Sequence, residues 1–439
     1  MSLRALRGDV LHCRRDPGLD GDAAAIEFLA DAVLVLRDGM IDALGPATQL
    51  LPTLGPDVVI DDWRGHLIVP GFVDVHAHFA QVDVVASHGT QLLEWLERYT
   101  FPEEEKFARR SHAEEAATFF LDELLRHGTT TACVFGTVHA DATDAFFATA
   151  AQRGVRMLAG KCLMDRHAPS TLCDTAESGA RDSRELIERW HGYDRLRYSL
   201  TPRFAVTSSD AQHESLRDLA RTYTTVHLQG HVAENRAEVA WVARLFPHDR
   251  SYLAVYERYG LLRERAIYAH CIWLDAQDRA RLAATGTAAA FCPTSNLFMG
   301  SGLFDLRAAL EAGVRVGLAT DIGGGTSYSM LRTLAAAYEV QQLLGVSLSP
   351  AYALYLATLG GARSLYLDPY IGNFAHGKEA DIAVLDPAPT PVLGRRTALR
   401  GDPLDRFFAL AMLGDDRAIA ATYVMGSPVH RRASVAPLR

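Results

Sequence analysis

A small set of histidine and acidic residues in this sequence has the types and spacing of a divalent metal centre. His76 and His78 end one apolar run, and residues two apart on a β-strand point to the same face. His231, His270 and Asp321 end three other apolar runs farther along the chain. Three histidines and one carboxylate are a natural ligand set for a borderline cation such as zinc. The pattern therefore predicts a metal site, provided that the fold brings the ends of these runs together.

Two more ionisable residues follow the same pattern and have side chains suited to chemistry beside a metal. Glu234 stands three residues after His231, where a carboxyl can lie next to a cation without binding it and can transfer protons. Arg203 ends another run, and its guanidinium can bond two acceptor atoms at once. The simpler alternatives are a solvent-facing glutamate at a helix start and a surface salt bridge of the arginine. A site is favoured because buried His and Asp side chains without partners would each cost several kcal/mol.

The apolar runs alternate with amphipathic segments from Pro70 onward, which is the pattern of an α/β fold. Near-continuous apolar strands fit a sheet that is covered by helices on one side and packed on the other. Eight such strands in about 300 residues indicate a (β/α)8 TIM barrel, whose strands share one mouth at their carboxyl ends. An open doubly wound sheet is the alternative, since a count of strands does not prove closure. The predicted strands are 66–78, 129–135, 155–163, 195–203, 225–231, 266–271, 287–292 and 314–321.

The two ends of the chain have shorter strand-and-turn patterns and are predicted to form one small β-sandwich-like domain. Segments 1–69 and 371–439 would build this domain, and segment 70–370 would build the metal-dependent hydrolase barrel. The small domain is then discontinuous in sequence, with the barrel inserted between its two parts.

Two local signals predict particular turns and helix ends. The pair Asp38-Gly39 stands between apolar runs, as a tight hairpin turn requires. Ser111 followed by Glu114 predicts a helix that begins with a capping box and ends at Gly128.

Composition and charge exclude several other classes of protein. The 439 residues are 49% hydrophobic and 22% charged, as in ordinary globular proteins. With 44 Lys and Arg against 53 Asp and Glu, the net charge of −9 argues against nucleic-acid binding. The absence of a long apolar stretch and of a signal-peptide core predicts a cytoplasmic location without a membrane partner. Six scattered cysteines without a C-x-x-C pair predict reduced thiols.

Four motifs resemble those of the metal-dependent amidohydrolase superfamily, and together they cover nearly the whole chain: PGFVDVHAH, LQGHVAEN, YAHC and ATDIGGGTSYSML. Within that superfamily, they are most similar to the motifs of the barrel-type guanine deaminases. The resemblance implies that His76, His78 and His231 bind the metal and that Glu234 is the proton shuttle. It agrees with the assignment of Asp321 as the fourth metal ligand.

The resemblance also implies a purine pocket. Gln81 follows the H-x-H pair at the family's spacing, and TPRFAVTSSD resembles the signature that holds and stacks the purine through Arg203 and Phe204. The loop that contains Trp95 is similar to the family's loop that closes over the site, and His231 would border the substrate as well. The alternatives are a loop-stabilising hydrogen bond for Gln81, a core position for Phe204 and a packing role for Trp95.

The implied reaction is the hydrolytic deamination of guanine to xanthine and ammonia, in purine catabolism or salvage. A bound metal would lower the pKa of water from about 15.7 towards neutrality. Asp321 would take the proton of that water, His270 would orient the nucleophile, and Glu234 would protonate a ring nitrogen of the purine. The alternatives are deamination of another fused aminoheterocycle (a pterin, an oxidised purine or an aminotriazine), an inactive scaffold, and a purine sensor. A hydrogen-bonded core histidine is the alternative for His270.

The same resemblance predicts one divalent metal ion and a homodimer. Binuclear relatives carry a carboxylated lysine at the end of the fourth strand, where this chain has TPRF, and Lys161 lies on the third strand. Zinc (Zn2+) is the expected metal and iron (Fe2+) the alternative, since sets of nitrogen and oxygen ligands accept both.

This chain departs from the family pattern at three positions near the motifs. Ala80 replaces the proline that often precedes the glutamine. Gly230 stands before His231, where Ser or Thr is common, so a hydroxyl behind the metal is expected to be missing. His167 replaces a shorter polar residue in the loop MDRHAP, which predicts an effect on the preference among purines.

Overall fold

The structure is a computed structural model that describes residues 3–89, 91–399 and 401–433, so the last six residues of the predicted C-terminal segment lie outside the described residues. The described strands form a seven-stranded sheet and a nine-stranded sheet. The strands are β1 Leu3–Cys13, β2 Ile26–Arg37, β3 Met40–Pro46, β4 Val59–Pro70, β5 Phe72–His78, β6 Thr129–Phe135, β7 Arg156–Gly160, β8 Cys162–Leu163, β9 Arg197–Pro202, β10 His227–Val232, β11 Ala266–His270, β12 Ala288–Phe291, β13 Arg315–Leu318, β14 Ile382–Leu385, β15 Ile419–Val424 and β16 Ser427–Arg431.

Most of the helices lie between the strands of the larger sheet. None of the described helices has the length and apolar character needed to cross a membrane. The α-helices are α1 Ala47–Leu50, α2 Leu92–Trp95, α3 Phe101–Glu104, α4 Arg110–Arg126, α5 Ala140–Arg153, α6 Ala176–Trp190, α7 Asp210–Thr222, α8 Arg236–Leu245, α9 Tyr252–Arg258, α10 Ala276–Thr285, α11 Pro293–Phe298, α12 Leu306–Glu311, α13 Met330–Leu343, α14 Pro350–Tyr355, α15 Gly361–Ser364, α16 Pro391–Ala398 and α17 Pro403–Leu413. Short 3-10 helices are Ala23–Ala25, Leu51–Thr53, Phe79–Val84, Glu105–Ala108, Ser170–Leu172, Ala205–Thr207 and Asp416–Ala418, and π-helical turns are Leu96–Thr100 and Leu356–Gly360.

The nine-stranded sheet is the predicted barrel. Its strands pair in the order β5-β6-β7-β9-β10-β11-β12-β13, the neighbouring strands are parallel, and β8 pairs with β9. β5 and β6 are buried along their whole length, as strands with helices on one side and packed side chains on the other must be. The chain therefore has the predicted (β/α)8 fold, accompanied by a small β-domain.

Contacts between the first and last strands close the barrel at its carboxyl end. The amide of Asp321 donates to the carbonyl oxygen of His76 over 2.9 Å, and the amide of His78 donates to the carbonyl oxygen of Ile322 over 3.3 Å. Asp74, fully buried on β5, accepts hydrogen bonds from the amide of Thr320 (3.0 Å) and from its hydroxyl. Burial raises the pKa of Asp74 to about 6, although these hydrogen bonds oppose the shift. The chain segments after β5 and β13 therefore lie side by side.

The terminal segments form one mixed sheet in the order β16-β15-β14-β4-β1-β2-β3, in which β1 and β4 are parallel and the other pairs antiparallel. Its apolar side chains join three clusters: Leu11 belongs to the large core of the barrel, Leu34 and Tyr423 to a second cluster, and Val33 and Val35 to a third. The small β-domain expected from both ends of the chain is therefore present, and its described strands pair in one continuous order. Asp38 (φ 50°) and Gly39 (φ 83°) make the predicted hairpin turn between β2 and β3.

The prediction of one strand over 66–78 is wrong, because two strands share this run. β4 ends in the small sheet at Pro70, and β5 begins in the barrel at Phe72. Gly71 lies between them, and a Cβ atom there would lie 2.2 Å from the side-chain oxygen of Thr130. Only a residue without a side chain fits this crossing from one sheet to the other.

The predicted capping box at Ser111 is wrong as well. Helix α4 begins at Arg110, its N-cap residue is Arg109, and no side chain caps it. Glu114 instead accepts a hydrogen bond from the Arg110 guanidinium over 2.9 Å, an ion pair of residues four apart on the helix surface. The C-terminal end agrees with the prediction, since α4 ends just before Gly128, which has a φ of 78°.

A buried ion-pair network joins the small sheet to the amino end of the barrel. Glu379 accepts hydrogen bonds from Nε of Arg156 (2.8 Å) and from Nη2 of Arg195 (2.7 Å), and Asp381 is a second partner of Arg195. Arg156 begins β7, Arg195 precedes β9, and the two acids precede β14. Burial would raise the pKa of Glu379, but the two guanidinium groups outweigh it and lower that pKa.

We expect Glu379→Gln to lower the free energy of unfolding by about 3–5 kcal/mol, because the buried guanidinium of Arg156 loses its carboxylate partner and that of Arg195 keeps only Asp381. Urea denaturation followed by circular dichroism measures this change. The matched control is Glu339→Gln on the exposed face of α13. If Glu379→Gln and Glu339→Gln had equal free energies of unfolding, the ion-pair network would not stabilise the fold as proposed.

Candidate active site

The carboxyl ends of four barrel strands bring the predicted metal-site residues together. His76 and His78 lie on β5, His231 on β10, His270 at the last position of β11, and Asp321 three residues beyond β13. Nε2 of His78 lies 3.1 Å from Nε2 of His76 and 3.3 Å from Nε2 of His231. Oδ1 of Asp321 lies 3.2 Å from His76 Nε2 and 3.3 Å from His78 Nε2.

These side chains fit a divalent cation. Nδ1 of His231 contacts the carbonyl oxygen of Arg203 over 2.6 Å; because that oxygen only accepts, Nδ1 carries the proton and Nε2 keeps its lone pair. Burial lowers the pKa of His78 to about 4 and that of His231 well below its ordinary value, so both rings are neutral at pH 7. Burial alone would raise the pKa of Asp321. The surrounding imidazoles, among which His76 has the largest effect, lower that pKa well below its ordinary value. Converging neutral imidazoles and a carboxylate suit a cation such as zinc.

His270 faces this cluster from the side of Glu234. Its Nε2 lies 3.3 Å from Oε2 of Glu234 and 3.9 Å from Oδ2 of Asp321, while Nδ1 contacts the side-chain oxygen of Asn296 over 2.9 Å. His270 and Asp321 both have left-handed backbone, with φ of 70° and 48°. Such strain at residues other than glycine persists where the surrounding structure enforces it, and it concentrates at functional sites. His270 thus lies between the metal-ligand candidates and the acid.

Glu234 is the buried acid of the site. It is 4% exposed, and its Oε1 accepts a hydrogen bond from the hydroxyl of Ser301 over 3.1 Å. Burial and the negative charge of Asp321 raise the pKa of Glu234 to about 8. A carboxyl with this pKa carries a proton at pH 7 and can give it up and take it back, as a proton-transfer group must.

Glu238, which no sequence pattern had indicated as a site residue, holds the backbone of Glu234. Its Oε2 accepts hydrogen bonds from the amides of Glu234 (3.0 Å) and Asn235 (3.1 Å), and its Oε1 accepts from the hydroxyl of Tyr252 (2.6 Å). Asn235 and Glu238 form the capping box that begins α8. The spacing N-x-x-E directly after HVAE is the signal from which this contact could have been predicted.

A second buried acid, Glu104, shapes the cleft and was also missed in the sequence. Its two carboxylate oxygens accept hydrogen bonds from Nη1 of Arg203, at 2.9 and 2.7 Å, and Gln81 donates to Oε1 over 3.2 Å. Gln81 Nε2 also contacts Nδ1 of His78 over 3.2 Å. Burial would lower the pKa of Arg203, but Glu104 outweighs it and raises that pKa. The salt bridge considered for Arg203 therefore exists, but it is buried at the site and not on the surface.

A cleft opens at the barrel mouth beside these residues, and the loop that contains Trp95 covers it. The indole N–H of Trp95 donates to the carbonyl oxygen of Ser87 over 3.1 Å, and Asn235 donates to the side chain of Gln91 over 2.8 Å. A mixture of apolar and convergent polar side chains suits a small polar heterocycle. The residues lining the cleft are His78, Gln81, Leu92, Trp95, Leu96, Arg203, Phe204, His231, Glu234, Glu238, His270, Ser295, Met299, Asp321 and Gly324.

Glycines allow the chain to pass close to the site. A Cβ atom at Gly323 would lie 2.3 Å from Oε1 of Gln81, and one at Gly325 would lie 1.9 Å from a backbone oxygen. Behind the histidines, a Cβ atom at Gly230 would lie 3.1 Å from the ring of Tyr268. A side chain at this position would therefore crowd the ring of Tyr268 and the carbonyl oxygen of Pro202.

His167 and Lys161 lie outside the lining of the cleft. Nδ1 of His167 contacts the carbonyl oxygen of Val206 over 2.9 Å, and its ring packs against Trp241 with centroids 5.3 Å apart. Lys161 is fully buried between β7 and β8, where its ammonium group is paired with Asp174. Neither residue contacts the candidate metal ligands through a described hydrogen bond.

Known proteins share this architecture. Residues 67–429 match the amidohydrolase family, and the chain belongs to that family. A guanine deaminase of Escherichia coli K12 is 46% identical over 432 residues, which are 98% of each chain. A probable guanine deaminase of Deinococcus radiodurans is 40% identical over 437 residues, 98% of this chain and 99% of its own length. Within the amidohydrolases, the chain is therefore a member of the guanine deaminase family.

Solved structures agree with this placement. The solved structure of the E. coli guanine deaminase aligns over its full length with 98% of this chain, at a TM-score of 0.96. A guanine deaminase from C. acetobutylicum with guanine bound in its active site is 28% identical, has a TM-score of 0.89 and covers 98% of this chain with all of its own. The likeness extends over the barrel and the small sheet together.

We expect His76→Ala to reduce the metal affinity at least about tenfold, because it removes one of the converging imidazoles. Elemental analysis after dialysis against metal-free buffer measures the metal per chain. His376→Ala is the matched control, since that histidine is exposed and its ring contacts only a backbone oxygen in the described hydrogen bonds. Full metal content in His76→Ala would remove His76 from the ligand set.

Proposed function

We propose that this protein catalyses the hydrolytic deamination of guanine to xanthine and ammonia. The observation that carries the proposal is that the histidine–aspartate cluster, the protonated acid Glu234 and the polar side chains of Arg203 and Gln81 share one cleft. Its sequence support is the full-length likeness to guanine deaminases. The guanine-bound C. acetobutylicum relative supports a purine as the ligand of this cleft.

The proposed metal ion is a single Zn2+, held by His76, His78, His231 and Asp321. A bound cation would supply hydroxide at neutral pH by lowering the pKa of water. A single ion is proposed because the amine of Lys161 is already paired with Asp174 and the fourth barrel strand ends without a lysine.

His270, Asp321 and Glu234 are proposed to position the water and move its protons. His270 spans the two acids, with Nε2 3.3 Å from Glu234 and 3.9 Å from Asp321, and so orients the attacking water. Asp321 accepts the proton of the water, and Glu234 donates its own proton to the ring nitrogen beside C2. The new C–O bond forms at C2, and Asp321 passes the proton that it took from the water to the amino group. The C–N bond then breaks to release ammonia, and the C2 hydroxyl gives its proton back to Glu234 as the carbonyl of xanthine forms.

Arg203 and Gln81 are proposed to recognise the polar edge of the purine. Glu104 holds Nη1 of Arg203 and fixes the guanidinium, whose remaining N–H groups match the O6 and N7 acceptors of guanine. The amide of Gln81 offers a donor and an acceptor. Phe204 and Trp95 add flat apolar surface to the cleft, which suits a two-ring base.

We also propose that the protein works as a cytoplasmic homodimer in purine catabolism or salvage. The proposal of a dimer rests on the family resemblance. Light scattering of the purified protein distinguishes a dimer from a monomer.

A substrate panel tests the proposed reaction. Guanine is expected to release ammonia and form xanthine at a kcat/KM at least about 100-fold above that of adenine, a pterin or an aminotriazine. Adenine lacks the amino group at C2, an aminotriazine lacks the second ring, and a pterin shares the amino-oxo half of guanine but has a six-membered second ring. Coupled ammonia detection with chromatography of the product measures this. If another heterocycle reacted faster than guanine, that heterocycle would be assigned as the substrate instead.

Glu234→Gln is expected to lower kcat by about 10²–10⁴-fold while metal content and guanine binding persist, because an amide cannot shuttle a proton. Steady-state kinetics and equilibrium binding of guanine measure the two effects separately. Glu339→Gln provides the matched control on the surface. An unchanged kcat in Glu234→Gln would assign the proton transfer to another group.

A further inference from the structure

A second group of potential metal ligands lies outside the cleft, where three separate elements meet. Asp83 lies in the 3-10 helix after β5, Glu103 in α3, and His112 in the first turn of α4. The ligand atoms of these residues, here called the Asp83 cluster, all lie within 4.8 Å of one another. Asp83 is exposed, His112 is half-buried and Glu103 is only 6% exposed.

Two buried atoms of this cluster lack hydrogen-bond partners. They are Oε1 of Glu103 and Nε2 of His112, which face each other 3.5 Å apart. Lys106 takes the other oxygen of Glu103, with a distance of 2.5 Å from Nζ to Oε2, and so leaves Oε1 unoccupied. The ring of His112 packs edge-on against Phe107, with centroids 4.7 Å apart, which fixes its orientation. The two atoms lie within ion-pair distance of each other but make no hydrogen bond, and a cation between them would satisfy both.

Solvent can reach the cluster through a surface pocket of about 180 Å³. Asp83, His112 and Glu115 line this pocket. Glu115 stands three residues after His112 on α4, on the same side of the helix, and adds a further carboxylate. One imidazole with two or three carboxylates is a nitrogen and oxygen donor set that divalent transition metals accept.

We propose that Asp83, Glu103 and His112 form a second site for a divalent transition-metal cation, separate from the active-site ligands. Its occupation would connect the segment that follows β5 to α3 and α4. Gln81 lies two residues before Asp83, and Glu104 follows Glu103 directly. The cation would therefore brace two segments that already meet through the Gln81–Glu104 hydrogen bond, and Glu104 in turn binds Arg203. This site does not depend on which heterocycle the cleft accepts.

Zinc stoichiometry of the holoenzyme tests the proposal. After equilibration with micromolar free Zn2+, the unchanged protein is expected to rise from about one to about two ions per chain, whereas Asp83→Asn and His112→Ala remain at about one. Asp122→Asn, an exposed acid on the same helix, is the control and should behave as the unchanged protein. A single ion in the unchanged protein, or a second ion in both cluster variants, would overturn the proposal.

Hydrogen exchange provides a readout that does not depend on activity or on ion counting. Zn2+ is expected to slow amide exchange in 79–84 and 101–112 of the unchanged protein, but not in Asp83→Asn, because a bridging cation restrains the segments that it joins. Asp83 is exposed, so its amide variant keeps the fold even where loss of the His112 ring disturbs the packing on Phe107. Equal slowing in the unchanged protein and in Asp83→Asn would show that zinc acts elsewhere, and the proposal would fall.

Discussion

The seam between β5 and β13 is the contact on which the rest of the structure depends. Asp74 accepts the amide and the hydroxyl of Thr320, and the next backbone bond joins Asp321 to His76. Residues from the first and last strands of a barrel can share one mouth only where this seam is paired. The seam therefore sets the distance between the two ends of the proposed ligand set. The carboxyl of Asp74, two backbone hydrogen bonds and apolar packing of Val73 and Val75 hold it together.

Burial gives the acids of the cleft different tasks. Glu234 contacts the Ser301 hydroxyl and His270 rather than a guanidinium, and burial near Asp321 makes it retain its proton at neutral pH. Glu104 is buried just as deeply but is paired with Arg203, and it serves as a counter-ion that fixes the guanidinium. Glu234 thus suits the proton transfer proposed for it, and Glu104 suits the proposed recognition of the purine through Arg203.

The fold separates anchoring from chemistry along the barrel axis. The carboxyl ends of the strands carry the site, while the network of Arg156, Arg195 and Glu379 fastens the small sheet to the amino ends. Gly71 lets the chain pass from β4 in the small sheet directly into β5, the strand with the H-x-H pair. The apolar pattern is continuous across this crossing, which is why sequence alone predicted a single strand there.

The sequence by itself determined the barrel strands and the polar residues at their ends, because apolar runs and their limits are local properties of the chain. His76 and Asp321 could be assigned to one centre on the single assumption of a closed barrel. The tertiary structure alone decided which acidic side chains near the site, such as those of Glu103 and Glu104, are buried and which partners they have. Glu104 accepts a hydrogen bond from Arg203, which lies 99 residues farther along the chain. The adjacent Glu103 instead lies 3.5 Å from His112 on α4. No periodicity marks either acid, since whether a carboxyl can be buried depends on the partner that the fold brings to it.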